Sequence, residues 1–376
     1  MKFKPDWNDA EQRLTDLWEG RPLDRPCMMV LAPQTGPPPA DVYGDRWADQ
    51  NRGDAPPATA EDRWLSPDWL VPHSLKSMSQ TWWGGEAIPS VLLMAGWLNS
   101  LGGRPHFDHR TIWFDPFPVD FSKPHPFHHD PLDPWVQRFE QLYQKMTEAA
   151  GWDNFLIGAP AILPAHDLLS MHIGTTEFMT ALIDHPAWMR QAILDGATEL
   201  LHARNRLRTI TERQHRFWYG NAGWMPFWAP TPYVGTQSDV SCMLSPDHFE
   251  EFVMPEIDLL GRDCAAMWYH LDGGDACQHL PRLLSLPYLR VIQYVPTPQE
   301  PPNGKAHLPL YRRIQDAGRI VHIQVDKTQV EPLCRALDPN LLVLDVSWSC
   351  NNADEGRELL AAARRWTSAR APQAKS

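Results

Sequence analysis

MWYHL (Met267 to Leu271), VIQYV (Val291 to Val295), IVHIQV (Ile320 to Val325) and LLVLDV (Leu341 to Val346) are the stretches whose reading decides the fold. Each is a compact run rich in β-branched and aromatic residues. Each is followed by a segment of helical periodicity, ending near Ser285, Ala317, Leu337 and Trp366 in turn. Continuous apolar runs alternating with helices mark parallel β-α-β units, because a parallel strand is buried on both faces.

The same alternation continues toward the N-terminus. A helix is predicted over Asp9 to Trp18 and a strand over Cys27 to Leu31. After a long gap come a helix at Trp135 to Ala150, a strand at Phe155 to Ile162, helices at Thr175 to Ile183 and Pro186 to Thr211, and a strand at Phe217 to Gly220. The helix Ser245 to Cys264 opens with Ser245 as cap and Pro246 in its first turn. Seven strands are readable, and the eighth is expected within Trp224 to Met243 or in the gap. No GxGxxG and no P-loop follows any strand, so the dinucleotide and nucleotide folds lack their defining turn. The expectation is an α/β fold of the (β/α)8 type, a TIM barrel.

The organisation follows. Residues 1–21 form an N-terminal helix, 22–367 the barrel and 368–376 a disordered tail. The gap, about 32–134, is rich in Pro, Gly, Trp and His and too long for a structureless loop. It reads as an inserted subdomain capping one end of the barrel, with Ile88 to Leu101 helical and Thr111 to Phe114 extended.

A formal net charge of -12 argues against nucleic acid or an anionic membrane as the main partner. No apolar run approaches the roughly 20 residues of a membrane span, and no signal-peptide pattern follows Met1. The six cysteines form no CxxC pair, which fits a reducing, cytoplasmic compartment. The 18 tryptophans suggest an aromatic-walled pocket for a small-molecule substrate, although packing alone uses such residues too.

In a parallel barrel, reactive groups stand where strands end. That rule selects His166 and Asp167, Asn221 and Trp224, His270 and Asp272, Gln293 and Tyr294, His322 and Gln324, and Ser347 and Cys350. His270 and Asp272 are two apart and share a strand face. With Cys350 they offer an imidazole, a carboxylate and a thiolate, a donor set that suits catalytic zinc with one open position. The same HxD spacing also fits a hydrogen-bonded core histidine followed by a helix-capping aspartate. Asp239 stands before the Ser245 helix, where it could hold substrate or cap a turn; it and Tyr269 are the catalytic candidates. Trp224 and Trp228, in a loop stiffened by Pro226 and Pro230, are expected to line the mouth with Gln293 and His322 as substrate-binding residues.

Several segments resemble the uroporphyrinogen decarboxylase superfamily: QSDVSCMLSPDHFEEFVMP (Gln237 to Pro255), WYHLDGG (Trp268 to Gly274), the Gly158 to Pro186 region with HDLLSMHIGTTEFMTALIDHP, and SWSCNNADEGRELL (Ser347 to Leu360). The resemblance covers most of Trp135 to Trp366. It implies a TIM barrel and points to the branch of zinc-dependent methyltransferases that pass methyl groups between corrinoid proteins and thiols. Those enzymes hold zinc with a His-x-Cys-Gly segment and a distant Cys. Here His270 matches the first ligand and Cys350 the last, while Asp272 stands in the middle place, a harder ligand than thiolate. The corrinoid would sit on a separate partner protein, because the chain has no DxHxxG motif. The arginine-rich N-terminal motif of the decarboxylases is not matched at Arg25-Pro26-Cys27. Two other readings stay open: a metal-free decarboxylase or lyase using Asp239 or Asp272 as acid–base group, and a non-catalytic ligand-binding barrel.

Overall fold

In the computed structural model, residues 1–35, 57–91, 93, 101–108, 111–157, 163–216 and 225–369 are described. The strands are β1 (Cys27–Pro33), β2 (Thr81–Gly85), β3 (Pro105–Phe107), β4 (Ile112–Phe114), β5 (Val234–Gln237), β6 (Met267–Asp272), β7 (Leu289–Val295), β8 (Ile320–Gln324) and β9 (Leu342–Asp345). Seven of them form one sheet in the order β2-β1-β9-β8-β7-β6-β5, and β3 and β4 form a hairpin. From β5 to β9 every strand lies parallel beside its predecessor, and β1 pairs parallel with β9, Cys27 opposite Val343. The chain therefore winds in one direction, as right-handed crossovers dictate. A doubly wound sheet would reverse its order at a switch point. The strand expected within Trp224 to Met243 is β5. Phe217 to Gly220 lies outside the described residues, as do most of the strand expected at Phe155 to Ile162 and residues 370–376 of the expected tail; Leu156 forms a parallel bridge with Ser90.

Strand alternation sorts the side chains into two cores. Met28, Val30, Tyr269, Leu271, Ile292, Val321 and Leu344 face the surrounding helices. Cys27, Met29, Leu31, Trp268, Val291, Ile320 and Val343 face the other way, into a second cluster. The helix Trp7–Glu19 belongs to that inner cluster. Its Trp7, Ala10, Leu14, Leu17 and Trp18 recur at helical spacing and are buried there, so this helix covers the inner face toward the strands' N-terminal ends.

The segment expected to form a separate capping insertion carries helices Ala60–Leu65 and Pro67–Gln80 and strand β2, and β2 instead joins the main sheet by pairing antiparallel with β1. Residues 88–91 are not helical, contrary to the expectation for Ile88 to Leu101; residues 92 and 94–100 lie outside the described set. Pro89 explains part of this, because its N–H is missing and the residue before it is steered to extended geometry. Just after β2, Glu86 is 1% exposed. It accepts two hydrogen bonds from Arg25 (2.7 and 2.8 Å), one from Arg13 Nε (2.8 Å) and one from the Met28 N–H (2.6 Å). Arg25 is thus committed to a structural ion pair.

His172 is fully buried, with rings of Phe114, Phe117 and Phe127 around it and, among the described residues, no hydrogen-bond partner at either ring nitrogen. Burial pushes its pKa down to about 4. Its unfolded value is near 6.5, so the unfolded chain binds the proton first. The stability linked to this neutral ring is complete above pH 6.5 and is lost as pH falls toward 4, by about 3 kcal/mol. We expect His172→Leu to flatten that part of the acid limb and to raise stability at pH 7 by about 1–2 kcal/mol, by removing an unsatisfied polar group. Urea midpoints of both proteins between pH 7 and 4 check this.

Candidate functional site

The inner face of the sheet changes character along the strands. Toward the N-terminal ends it carries Cys27, Val291, Ile320 and Val343. One pleat further on comes an in-register row of polar residues: Gln237 opposite His270, His270 opposite Gln293, and Gln293 opposite His322. Asp272 shares His270's face at the C-terminal edge of β6. Polar side chains thus gather toward the C-terminal edge of the parallel strands, the end where α/β folds place their ligand sites.

At this edge one oxygen of Asp239, one ring nitrogen of His270 and one oxygen of Asp272 lie within 4.8 Å of one another. Among the described residues this is the one trio of His, Cys, Asp or Glu side chains arranged to hold a metal ion. His270 is buried and both carboxylates are reachable from solvent. Asp272 stands at the N-cap of the turn Gly273–Ala276 but makes no capping hydrogen bond, so its carboxylate is not spent on the helix. Gly273, at φ 77°, makes the turn that takes the chain out of the strand.

Asp239 opens a 3-10 turn, Asp239–Met243, held from several sides. Asp167 accepts from the backbone N–H of Asp239 (3.0 Å) and of Val240 (3.1 Å). Ser241 Oγ donates to the Ser238 carbonyl, and His279 Nε2 donates to the Ser241 carbonyl at 2.9 Å. The His279 ring is stacked on Phe249, 4.1 Å between centroids, where the helix widens into a π-turn. Beneath Asp167, His166 Nδ1 donates to Glu256 at 2.7 Å. Burial opposes a charge on His166, but Asp167 and Glu256 outweigh it and raise its pKa.

The charges acting most strongly on Asp239 are two carboxylates, Asp167 and Asp272, against the single imidazole of His166. Partial burial, and then those two neighbours, raise the pKa of its carboxyl. Burial lowers the pKa of His270, partly offset by Gln293, and so keeps its ring neutral near pH 7. No protein-family model and no curated protein sequence matches this chain. What the site can do is therefore read from its geometry: a neutral imidazole and two adjacent carboxylates form a mixed nitrogen and oxygen donor set for a cation.

The candidates from sequence separate clearly. Asp239, His270 and Asp272 come together. Cys350 does not join them: it is fully buried in the cluster between sheet and helices, near Lys327, Asp326 and Glu355. The chain places Trp348, at φ 63°, in the inner cluster, and Cys350 then falls behind the sheet, where burial lifts its thiol to about 11. Tyr269 is likewise corrected. It lies between Trp268 and His270, so alternation turns it toward the helices, where it is 1% exposed.

Trp228 does not line the mouth either. It precedes β5, at the opposite end of the strands, and meets Trp7 edge to face at 5.7 Å. Trp224 lies outside the described residues. His322 and Gln293 do face inward, yet both are fully buried below the trio. His322 Nδ1 accepts from Trp268 Nε1 at 3.2 Å. Neither is exposed to a substrate in this state. Sequence reading missed Glu256, which has a legible signal: an acidic residue on a helix face otherwise made of Met254, Ile257 and Gly261.

Proposed function

We propose that this chain is a metal-dependent, methyltransferase-like enzyme on a closed (β/α)8 barrel, belonging to the uroporphyrinogen decarboxylase superfamily that its motifs resemble. The single winding direction of β5 to β9 and the β1–β9 pairing support this reading; the other edge of β1 is taken by antiparallel β2, so a ring would close through β2 and the chain between it and β5. The observation that carries the functional reading is the meeting of Asp239, His270 and Asp272 at the C-terminal edge of the parallel strands.

These three residues would hold one divalent cation, and they fit zinc, whose catalytic sites take three protein ligands of this kind and keep a position open. Two carboxylates supply the same formal charge as the two thiolates of the resembling methyltransferases, with harder donors. When bound, the metal supplies Lewis-acid activation of a thiol or similar nucleophile. The protein's own part is orientation and shielding. Asp167 fixes the backbone that carries Asp239, β6 fixes His270 and Asp272 on one face, and the buried Trp268 forms an apolar floor one pleat below His270. The methyl donor is read as a corrinoid protein or a small methylated compound.

A metal-free lyase is the second reading, favoured by the raised pKa of Asp239, which is partly buried beside Asp167 and Asp272. One comparison separates the two. We expect the metal-loaded protein to methylate a small thiol from methylcobalamin, chelation to abolish this, and reloading to restore it. Absence of turnover in the loaded protein overturns methyl transfer. Turnover of a small carboxylate that survives complete chelation favours Asp239 acid–base chemistry instead. Among the described residues no helix is long and apolar enough to cross a membrane.

A further inference from the structure

Gln293 was expected to touch substrate. Its surroundings give it another task, which rests on the reading of His270 as a metal ligand. The Gln293 amide is fully buried and makes two hydrogen bonds, one to the Tyr294 carbonyl at 3.1 Å and one to His270 Nδ1. A backbone carbonyl can only accept, so the group facing Tyr294 is the amide NH2. The other end of the amide, its oxygen, then faces His270. An amide oxygen can only accept, so Nδ1 must carry hydrogen. A neutral imidazole has one N–H, and its lone pair is therefore on Nε2.

We propose that Gln293 is the positioning residue of this site: it fixes His270 as the Nδ1–H tautomer and thereby assigns Nε2 as the atom offered beside Asp239 and Asp272. The sheet supplies the pairing, because Gln293 is the register partner of His270 on the adjacent parallel strand and both side chains project from the same face. The Tyr294 carbonyl is the anchor that prevents the amide from turning over. A flipped amide would bring NH2 to Nδ1, force the proton to Nε2 and remove the lone pair from the side of the carboxylates. Partners of this type commonly orient ligating histidines, and their loss costs roughly 10–100-fold in metal affinity.

The test is histidine-tautomer NMR on the metal-free, ring-15N-labelled protein, with His270→Gln assigning the signal. The wild type is expected to show the Nδ1–H form of His270. Gln293→Met, which keeps the volume and removes the acceptor, should populate the Nε2–H form and weaken zinc binding by roughly 10–100-fold. Gln293→Glu, which restores an acceptor, should keep the Nδ1–H form even if it folds less stably. An Nε2–H wild type, an unchanged tautomer in Gln293→Met, or a changed tautomer with unchanged zinc affinity would each overturn the proposal. A wild type that shows the Nδ1–H form, loses it in Gln293→Met, but takes up no metal supports the tautomer assignment and counts against the function proposed above.

Discussion

Alanine at His270 or at Asp239 is expected to abolish stoichiometric binding of a divalent metal, while Cys350→Ser leaves it intact. The contrast separates two ligand sets. Sequence resemblance alone puts Cys350 in the site; the fold puts Asp239 there, with its carboxylate beside His270 and Asp272. Removing a partner that merely orients a ligand costs roughly 10–100-fold in affinity, so removing a ligand itself should cost at least the upper end of that range. Cys350→Ser should show its effect elsewhere. A hydroxyl in the apolar cluster between sheet and helices costs about 1–3 kcal/mol if it finds no partner. Calorimetric titration with zinc, paired with urea unfolding of each variant, reads both quantities. Retained affinity in Asp239→Ala together with lost affinity in Cys350→Ser would restore the other ligand set, and retained affinity in His270→Ala would contradict both.

The largest stability effect is expected at Arg25. In Arg25→Met the Glu86 carboxylate, 1% exposed, keeps its bonds from Arg13 and the Met28 N–H. Breaking a buried pair from one side leaves a charge without its main counterion and costs about 3–5 kcal/mol. The double variant Arg25→Met, Glu86→Gln should recover part of that loss, since the isosteric amide oxygen can still accept from Met28. The pH dependence has a definite sign. Burial works against the Glu86 carboxylate, yet Arg25 and Arg13 hold its pKa below the usual range. Its contribution is thus complete above the unfolded value near 4.3 and is lost as pH falls through the lower folded value. Urea midpoints at pH 7 and pH 3 should therefore differ less in the double variant than in the wild type. An equal loss in single and double variants would contradict this account.

The parallel strands were legible because burial on both faces leaves uninterrupted apolar runs such as IVHIQV and LLVLDV. The pairing of His270 with Asp272 was legible for the same periodic reason. The period that joins those two also excludes Tyr269, which lies between them and must face the helices. β2 was not legible. Its sequence, TWWGG, has no apolar run, and its place is set by antiparallel pairing with β1. Cys350 misled because proximity to a strand end says nothing about direction once the chain turns at Trp348. Trp228 misled because a loop before a strand lies at the opposite end from the mouth. Asp239 was a strand-end candidate with two meanings, and only the fold around Asp167 and His279 shows that the turn is held by other residues, leaving its carboxylate for the site.

The most direct measurement is anomalous X-ray diffraction at the zinc edge from crystals of the zinc-loaded protein. The account predicts one peak per chain at the C-terminal edge of β6, bonded at about 2.0–2.2 Å to His270 Nε2 and to one oxygen each of Asp239 and Asp272. A peak held through Cys350, or saturating zinc with no peak at the trio, would contradict it.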